Sequence, residues 1–147
     1  MIDTAGIHGV RVDYRALYIA DRLLNQTLAI AAGGALGALL RFWVSNGVYA
    51  VLGRGFPYGT LAVNVLGSLA MGLLFILLIE RLALGAEWRA FLLIGLLGAV
   101  TTFSTFSIET LTLIEQAEYL KATANAVISV VACVGAALVG VMLARQL

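Results

Sequence analysis

Apolar and polar residues separate along this chain into long blocks rather than alternating. Four runs without a charge, Leu23–Leu40, Gly55–Ile79, Ala90–Ile108 and Ala122–Ala144, each come near or above the roughly 18 apolar residues that mark a transmembrane helix. The pattern predicts an all-α integral membrane fold with four spans, at about residues 27–51, 59–80, 89–118 and 121–145. The connections near Gly53–Tyr58, Glu80–Glu87 and Glu118–Lys121 are too short for a second domain. Residues 27–147 therefore read as one four-span domain, preceded by an extension over residues 1–26.

Inside the spans the small and polar residues recur at helical spacing. Gly33, Gly37, Arg41 and Ser45 share one face of the first span, Thr60, Asn64, Gly67 and Met71 one face of the second, and Asn125, Ser129, Cys133, Ala136 and Gly140 one face of the fourth. Each of these helices turns a stripe away from lipid. Close helix packing through small residues explains a single stripe; three in one short chain favour a polar interior.

Three residues sit where the membrane makes their chemistry expensive. Asn64 lies inside the hydrocarbon region, where an unpaired amide costs several kcal/mol (~2–7), so it needs either another helix or a passing solute as partner. Arg41, within GALLRFWVSNG, either snorkels to the interface or places a fixed positive charge at a water-filled mouth that gathers anions. Glu109 falls at helical spacing from Thr102, Thr105 and Phe106. It is either a functional intramembrane acid or the point where the third helix nears water, with Glu115 and Glu118 following.

The third span holds the densest chemistry. GLLGAVTTFSTFSIET packs the hydroxyls of Thr101, Thr102, Ser104, Thr105 and Ser107 around Phe103 and Phe106. Gly95 and Gly98 loosen the helix upstream, and the hydroxyls offer its backbone local alternatives, so a break near residues 98–102 is predicted. Such a break survives at membrane depth only inside protein or along a cavity, where its free carbonyls suit a cation. The ring edges of Phe103 and Phe106 carry positive quadrupole density, which solvates a small anion. From the residues alone this is a polar path suited to an anion.

Composition agrees: the chain is 62% hydrophobic and 12% charged, against about half and a quarter in soluble domains. A net charge of +1 without basic clusters gives no case for nucleic acid. One cysteine, Cys133, excludes an intrachain disulfide and any multi-cysteine metal site, and the one histidine, His8, lies outside the spans. Residues 1–26 mix Asp3, Asp13 and Asp21 with Arg11, Arg15 and Arg22 and lack the apolar core of a signal peptide, so they read as a surface segment. With the N-terminus inside, Arg11, Arg15, Arg22, Arg81, Arg89 and Arg145 face the cytoplasm against Arg54 and Lys121 outside, as the positive-inside rule favours. The extension supplies half of those six, so the core alone gives three against two.

GGALGALLRF at 33–42, GTLAVNVLGS at 59–68 and GAVTTFSTFSIE at 98–109 resemble the signature segments of the bacterial fluoride channel family, Fluc or CrcB, over all four spans. The resemblance implies a passive fluoride channel of the bacterial inner membrane that lowers internal fluoride. It implies antiparallel homodimers of dual topology with two fluoride pathways, and a structural sodium ion held by main-chain carbonyls of the broken third helix, which match Gly98 and Thr101. The fluoride pathway would run past Phe103 and Phe106, the amide of Asn64, the hydroxyls of Ser104 and Thr105, the polar track of Thr60 and Ser129, and Arg41 at the vestibule, with Glu109 beyond. Three features depart from the family pattern: the long extension, Cys133 where a serine is common, and Ala99 in place of a glycine. The charge bias also sits awkwardly with insertion in both orientations, which leaves room for a partner of opposite topology. The alternative is a small dimeric multidrug exporter or other polar-solute conduit. Proton-coupled exporters of that kind place an acid in the first span, which here holds Arg41 instead. Nothing in the spans arranges an intramembrane enzyme's catalytic set.

Overall fold

The computed structural model describes residues 13–82 and 84–147; Asp3, His8 and Arg11 lie outside them. Helix α1 runs Tyr14–Leu52, 39 residues. Helix α2, Tyr58–Phe75, continues as a π-helical stretch Ile76–Arg81. After a short turn, α3 (Ala86–Arg89) passes into a second π-helical stretch, Ala90–Leu97, and then α4 (Gly98–Val100). Helix α5 spans Phe103–Glu115 and α6 Tyr119–Gln146. Four helical segments are long and apolar enough to cross a membrane: Tyr14–Leu52, Tyr58–Arg81, Ala86–Glu115 and Tyr119–Gln146. No strand occurs among the described residues.

The first helix starts well before the 26/27 boundary expected for a surface extension. Asp13 caps it, its Oδ1 accepting from the N–H groups of Arg15 (2.9 Å) and Ala16 (3.3 Å). Such a cap satisfies donors that a helix N-terminus leaves orphaned. At the other end Gly53 takes φ 76°, open to glycine, and its N–H bonds to the Tyr49 carbonyl at 2.9 Å.

Two glycine seams hold the bundle. Along the first, α1 lies against Ala90–Leu97; a Cβ on Gly33 would strike the Phe91 carbonyl, and one on Gly37 the Leu96 carbonyl. Gly95 answers from the other side, facing the Ile30 carbonyl. Along the second, α2 and α6 meet with Gly72 on the Ala137 carbonyl and Gly140 on the Leu69 carbonyl. Backbones this close gain dispersion contacts that larger side chains would prevent. Leu36, Phe42, Trp43, Ile94 and Val131 remain exposed on the outside, as a lipid-facing surface requires.

Helix α5 ends in a Schellman arrangement: the Glu118 N–H bonds to the Leu113 carbonyl (2.8 Å) and the Ala117 N–H to the Ile114 carbonyl (3.0 Å). The left-handed position that glycine usually fills is taken by Ala117, φ 60°.

Candidate functional site

Helical geometry stops at two residues between α4 and α5. Thr101 has φ −79°, ψ 151° and Thr102 φ −151°, ψ 115°, both extended. Their side chains explain why the chain can stop there. Thr102 caps α5, its Oγ1 accepting from the Thr105 N–H at 3.2 Å, and that hydroxyl also meets Thr105 Oγ1 (3.0 Å) and Ser104 Oγ (3.1 Å). Thr101 Oγ1 instead bonds back to the Leu97 carbonyl at 3.1 Å.

Asn64 completes the arrangement from α2. Its Oδ1 accepts from the Thr102 N–H at 2.7 Å, and its Nδ2 donates to the Thr102 carbonyl at 3.1 Å. Of the two partners open to Asn64, the neighbouring segment is the one found, and it is met through main chain. One side chain thus pairs both polar groups of a residue that is 7% exposed, as buried backbone requires. One Nδ2 hydrogen remains.

The interruption frees four carbonyls, Gly98 to Thr101, and these pairings account for the outer two. In an unbroken helix the Thr102 N–H would serve Gly98 and the Thr105 N–H would serve Thr101; here the first goes to Asn64 and the second to Thr102 Oγ1. Gly98 and Thr101 therefore keep oxygens without their helical donors, and carbonyl oxygens suit hard cations. The Ala99 and Val100 carbonyls lose theirs as well, since the Phe103 and Ser104 N–H groups would have to reach back across the extended residues, so one chain offers four such oxygens.

Two cavities touch this point, and a third lies apart from it. The first, about 370 Å³, is lined by Asn64, Thr101, Thr102, Phe103, Phe106 and Ser129, with Gly67, Met71 and Cys133 among its other walls. The second, about 380 Å³, also reaches Thr102 and brings together Arg41, Ser45, Thr60 and Thr105. The third, about 210 Å³, holds Tyr49, Arg54, Glu109 and Gln116. Ser104 lines none of them and meets the site through Thr102. The rings of Phe103 and Phe106 lie 5.3 Å apart, tilted at 41°, and Phe103 is 77% exposed in the single chain.

Behind the first cavity Asn125, 1% exposed, donates to Thr110 Oγ1 at 2.8 Å and accepts from Ser129 Oγ at 3.4 Å. That network fixes Ser129 on the cavity wall. Glu109 falls elsewhere than its spacing from Phe106 suggested: it lines the third cavity and accepts the Tyr49 hydroxyl proton at Oε1 (2.9 Å), while Oε2 is buried without a partner. Tyr49, whose ring also carries the Arg54 guanidinium 4.7 Å above its centre, went unnoticed in the sequence. Continuing the stripe Gly33, Gly37, Arg41, Ser45 by four more residues would have found it.

A sequence profile of the CrcB-like family, described as CrcB-like protein, Camphor Resistance (CrcB), matches residues 28–141. The chain belongs to this family. Among its relatives is a fluoride-specific ion channel FluC of Methylococcus capsulatus, 60% identical over 125 residues, a stretch covering 84% of this chain and 55% of that protein. The chain thus spans about half the length of that relative. FluC proteins of Coxiella burnetii, 50% identical over 123 residues, and of Magnetococcus marinus, 51% over 120, are matched over 99% and 98% of their lengths. The CrcB-like region begins where α1 reaches the bundle and ends within α6.

Proposed function

We propose that this chain is a fluoride-specific passive channel, not an enzyme, that carries the ion out of the cytoplasm down its gradient and lowers its internal level. The observation that carries this reading is the meeting of polar and aromatic groups in two cavities that share Thr102: Asn64, Phe103, Phe106 and Ser129 in one, Arg41, Thr60 and Thr105 in the other. The names of the relatives support fluoride as the ion. A dehydrated fluoride needs several donors at once. The second Nδ2 hydrogen of Asn64 and the edges of the two phenylalanine rings supply them from one cavity, whose wall also holds Ser129. Arg41 gathers the anion toward the other cavity, and Thr60 and Thr105 pass it along by hydroxyl contacts.

The interruption at Thr101–Thr102 lies near the middle of the membrane-length segment Ala86–Glu115, so we take it as a mid-membrane break of the third span. The Gly98 and Thr101 carbonyls would hold a structural sodium ion, not transported, with a matching pair from a second, antiparallel copy. Bound there, sodium offsets the repulsion between two anion paths. The exposed Phe103 then faces the partner chain. The setting is the bacterial inner membrane, the dimer is of dual topology, and residues 27–147 form the channel domain.

The test is fluoride efflux from liposomes holding the purified protein, followed with a fluoride electrode in sodium and without ATP. Fluoride flux with strong rejection of chloride is the expected result. Equal efflux of both ions, or uptake of a quaternary ammonium cation in its place, sinks the proposal.

A further inference from the structure

The first 13 residues of α1, Tyr14–Gln26, belong to none of the machinery described above. Gly33 lies level with Phe91, shortly after α3 begins, so at 1.5 Å per residue the helix stands about 20 Å beyond the bundle before it meets a neighbour. No residue of this arm is buried, and the family match starts just after it, at residue 28. The arm is an addition to the family's core.

Its composition is two-faced. Placed at 100° per residue, Leu17, Ile19, Ala20, Leu23 and Leu24 fill about half of the circumference. Arg15, Asp21, Arg22, Asn25 and Gln26 fill the other half, with the Arg22 guanidinium 5.8 Å from the centre of the Tyr18 ring. A helical partner would call for a narrower seam; half a cylinder fits a flat apolar boundary. The apolar face is also continuous with the lipid-facing surface of the span: Leu17, Leu24, Leu28, Ala35 and Phe42 recur at spacings of seven or four and all are exposed.

We propose that this arm is a membrane-surface anchor that lies in the phospholipid headgroup layer, its leucines toward the acyl chains and Arg15 and Arg22 toward the phosphates. The headgroup layer is only about 5–7 Å deep on each side, so an upright arm would hold Leu17 in water. The place to bend is Asn25–Gln26–Thr27, where Asn25 and Thr27 sit exposed, Gln26 half-buried, and Thr27 Oγ1 bonds back to the Leu23 carbonyl at 2.7 Å, a contact that bends helices. The anchor rests on membrane insertion alone, whatever ion is carried.

Single spin labels decide it. In a Cys133→Ser background, Leu17→Cys, Leu24→Cys and Asn25→Cys are labelled in phosphatidylcholine–phosphatidylglycerol liposomes, and their collisions with oxygen and with a neutral nickel chelate are compared. All three sites are exposed, so no packing is lost. The expected oxygen-to-nickel ratio is severalfold higher at positions 17 and 24 than at 25. Nickel dominating at 17 and 24 means an arm upright in water, and exclusion of both reagents means an arm packed on protein, a second copy included; either result overturns the anchor.

Discussion

The two glycine seams and the region around Thr102 solve opposite problems with neighbouring residues of the same helices. At the seams, Gly33 and Gly72 bring carbonyls of adjacent helices so close that no side chain fits between them. Around Thr102 the helix stops, and Asn64, Ser104 and Thr105 fill the space with hydrogen bonds. Yet Asn64 is only eight positions from Gly72 on α2. A dry seam fixes the helices, and the wet region then spends no contacts on holding them. Packing and conduction should therefore fail separately.

The largest expected effect is on the dry side. Gly72→Leu drives a side chain into the Ala137 carbonyl, and overpacking of backbone against backbone exceeds the usual 1–3 kcal/mol or so. Aggregation in place of a single size-exclusion peak is the expected outcome; a well-folded, conducting variant would mean that the seam is soft. Next comes Asn64→Leu, which straddles the comparison. It strands both the N–H and the carbonyl of Thr102, at about 1–3 kcal/mol each, and removes a cavity donor, so thermal stability and fluoride flux should fall together. Loss of flux with unchanged melting would show that another group pairs Thr102.

Phe106→Ile isolates the wet side. The volume is nearly kept while the polarised ring edge is lost, so flux should drop by about tenfold, which corresponds to roughly 1.4 kcal/mol in barrier, with an unaltered elution profile. Near-native flux would return Phe106 to packing. The smallest effect lies outside both regions. Ala117→Gly relieves the left-handed strain at the end of α5 and should stabilise by about 1 kcal/mol, seen as a higher melting temperature with flux unchanged.

How much of this could be read from the residues follows the same division. The four spans were legible because lipid forbids charge over a whole crossing, which leaves long runs such as Gly55–Ile79. Hydroxyls able to serve backbone cluster at Thr101–Ser107, and Thr101 and Thr102 are the residues found extended. The partner of Asn64 was not legible, because the amide meets main-chain atoms, and every residue carries those. The start of α1 at Tyr14 escaped because charge-free runs report where lipid begins, whereas a helix can continue beyond it once Asp13 caps its end. For Glu109 the residues left two settings open, and its partner could not be read from them because the tyrosine hydroxyl that holds it comes from α1.

The bond pair between Asn64 and Thr102 also ties together two parts of the chain that are made at different times. Asn64 enters the membrane with the second span, before Thr102 has been synthesised, and lacks that partner while it waits. Thr102, arriving later, leaves its helix with an N–H and a carbonyl that the Asn64 amide pairs in the folded chain. Each half is incomplete without the other, so closing the interruption and settling the second span are one event. A nascent chain cut between the two residues displays a lone amide inside the bilayer, which marks it as unfinished.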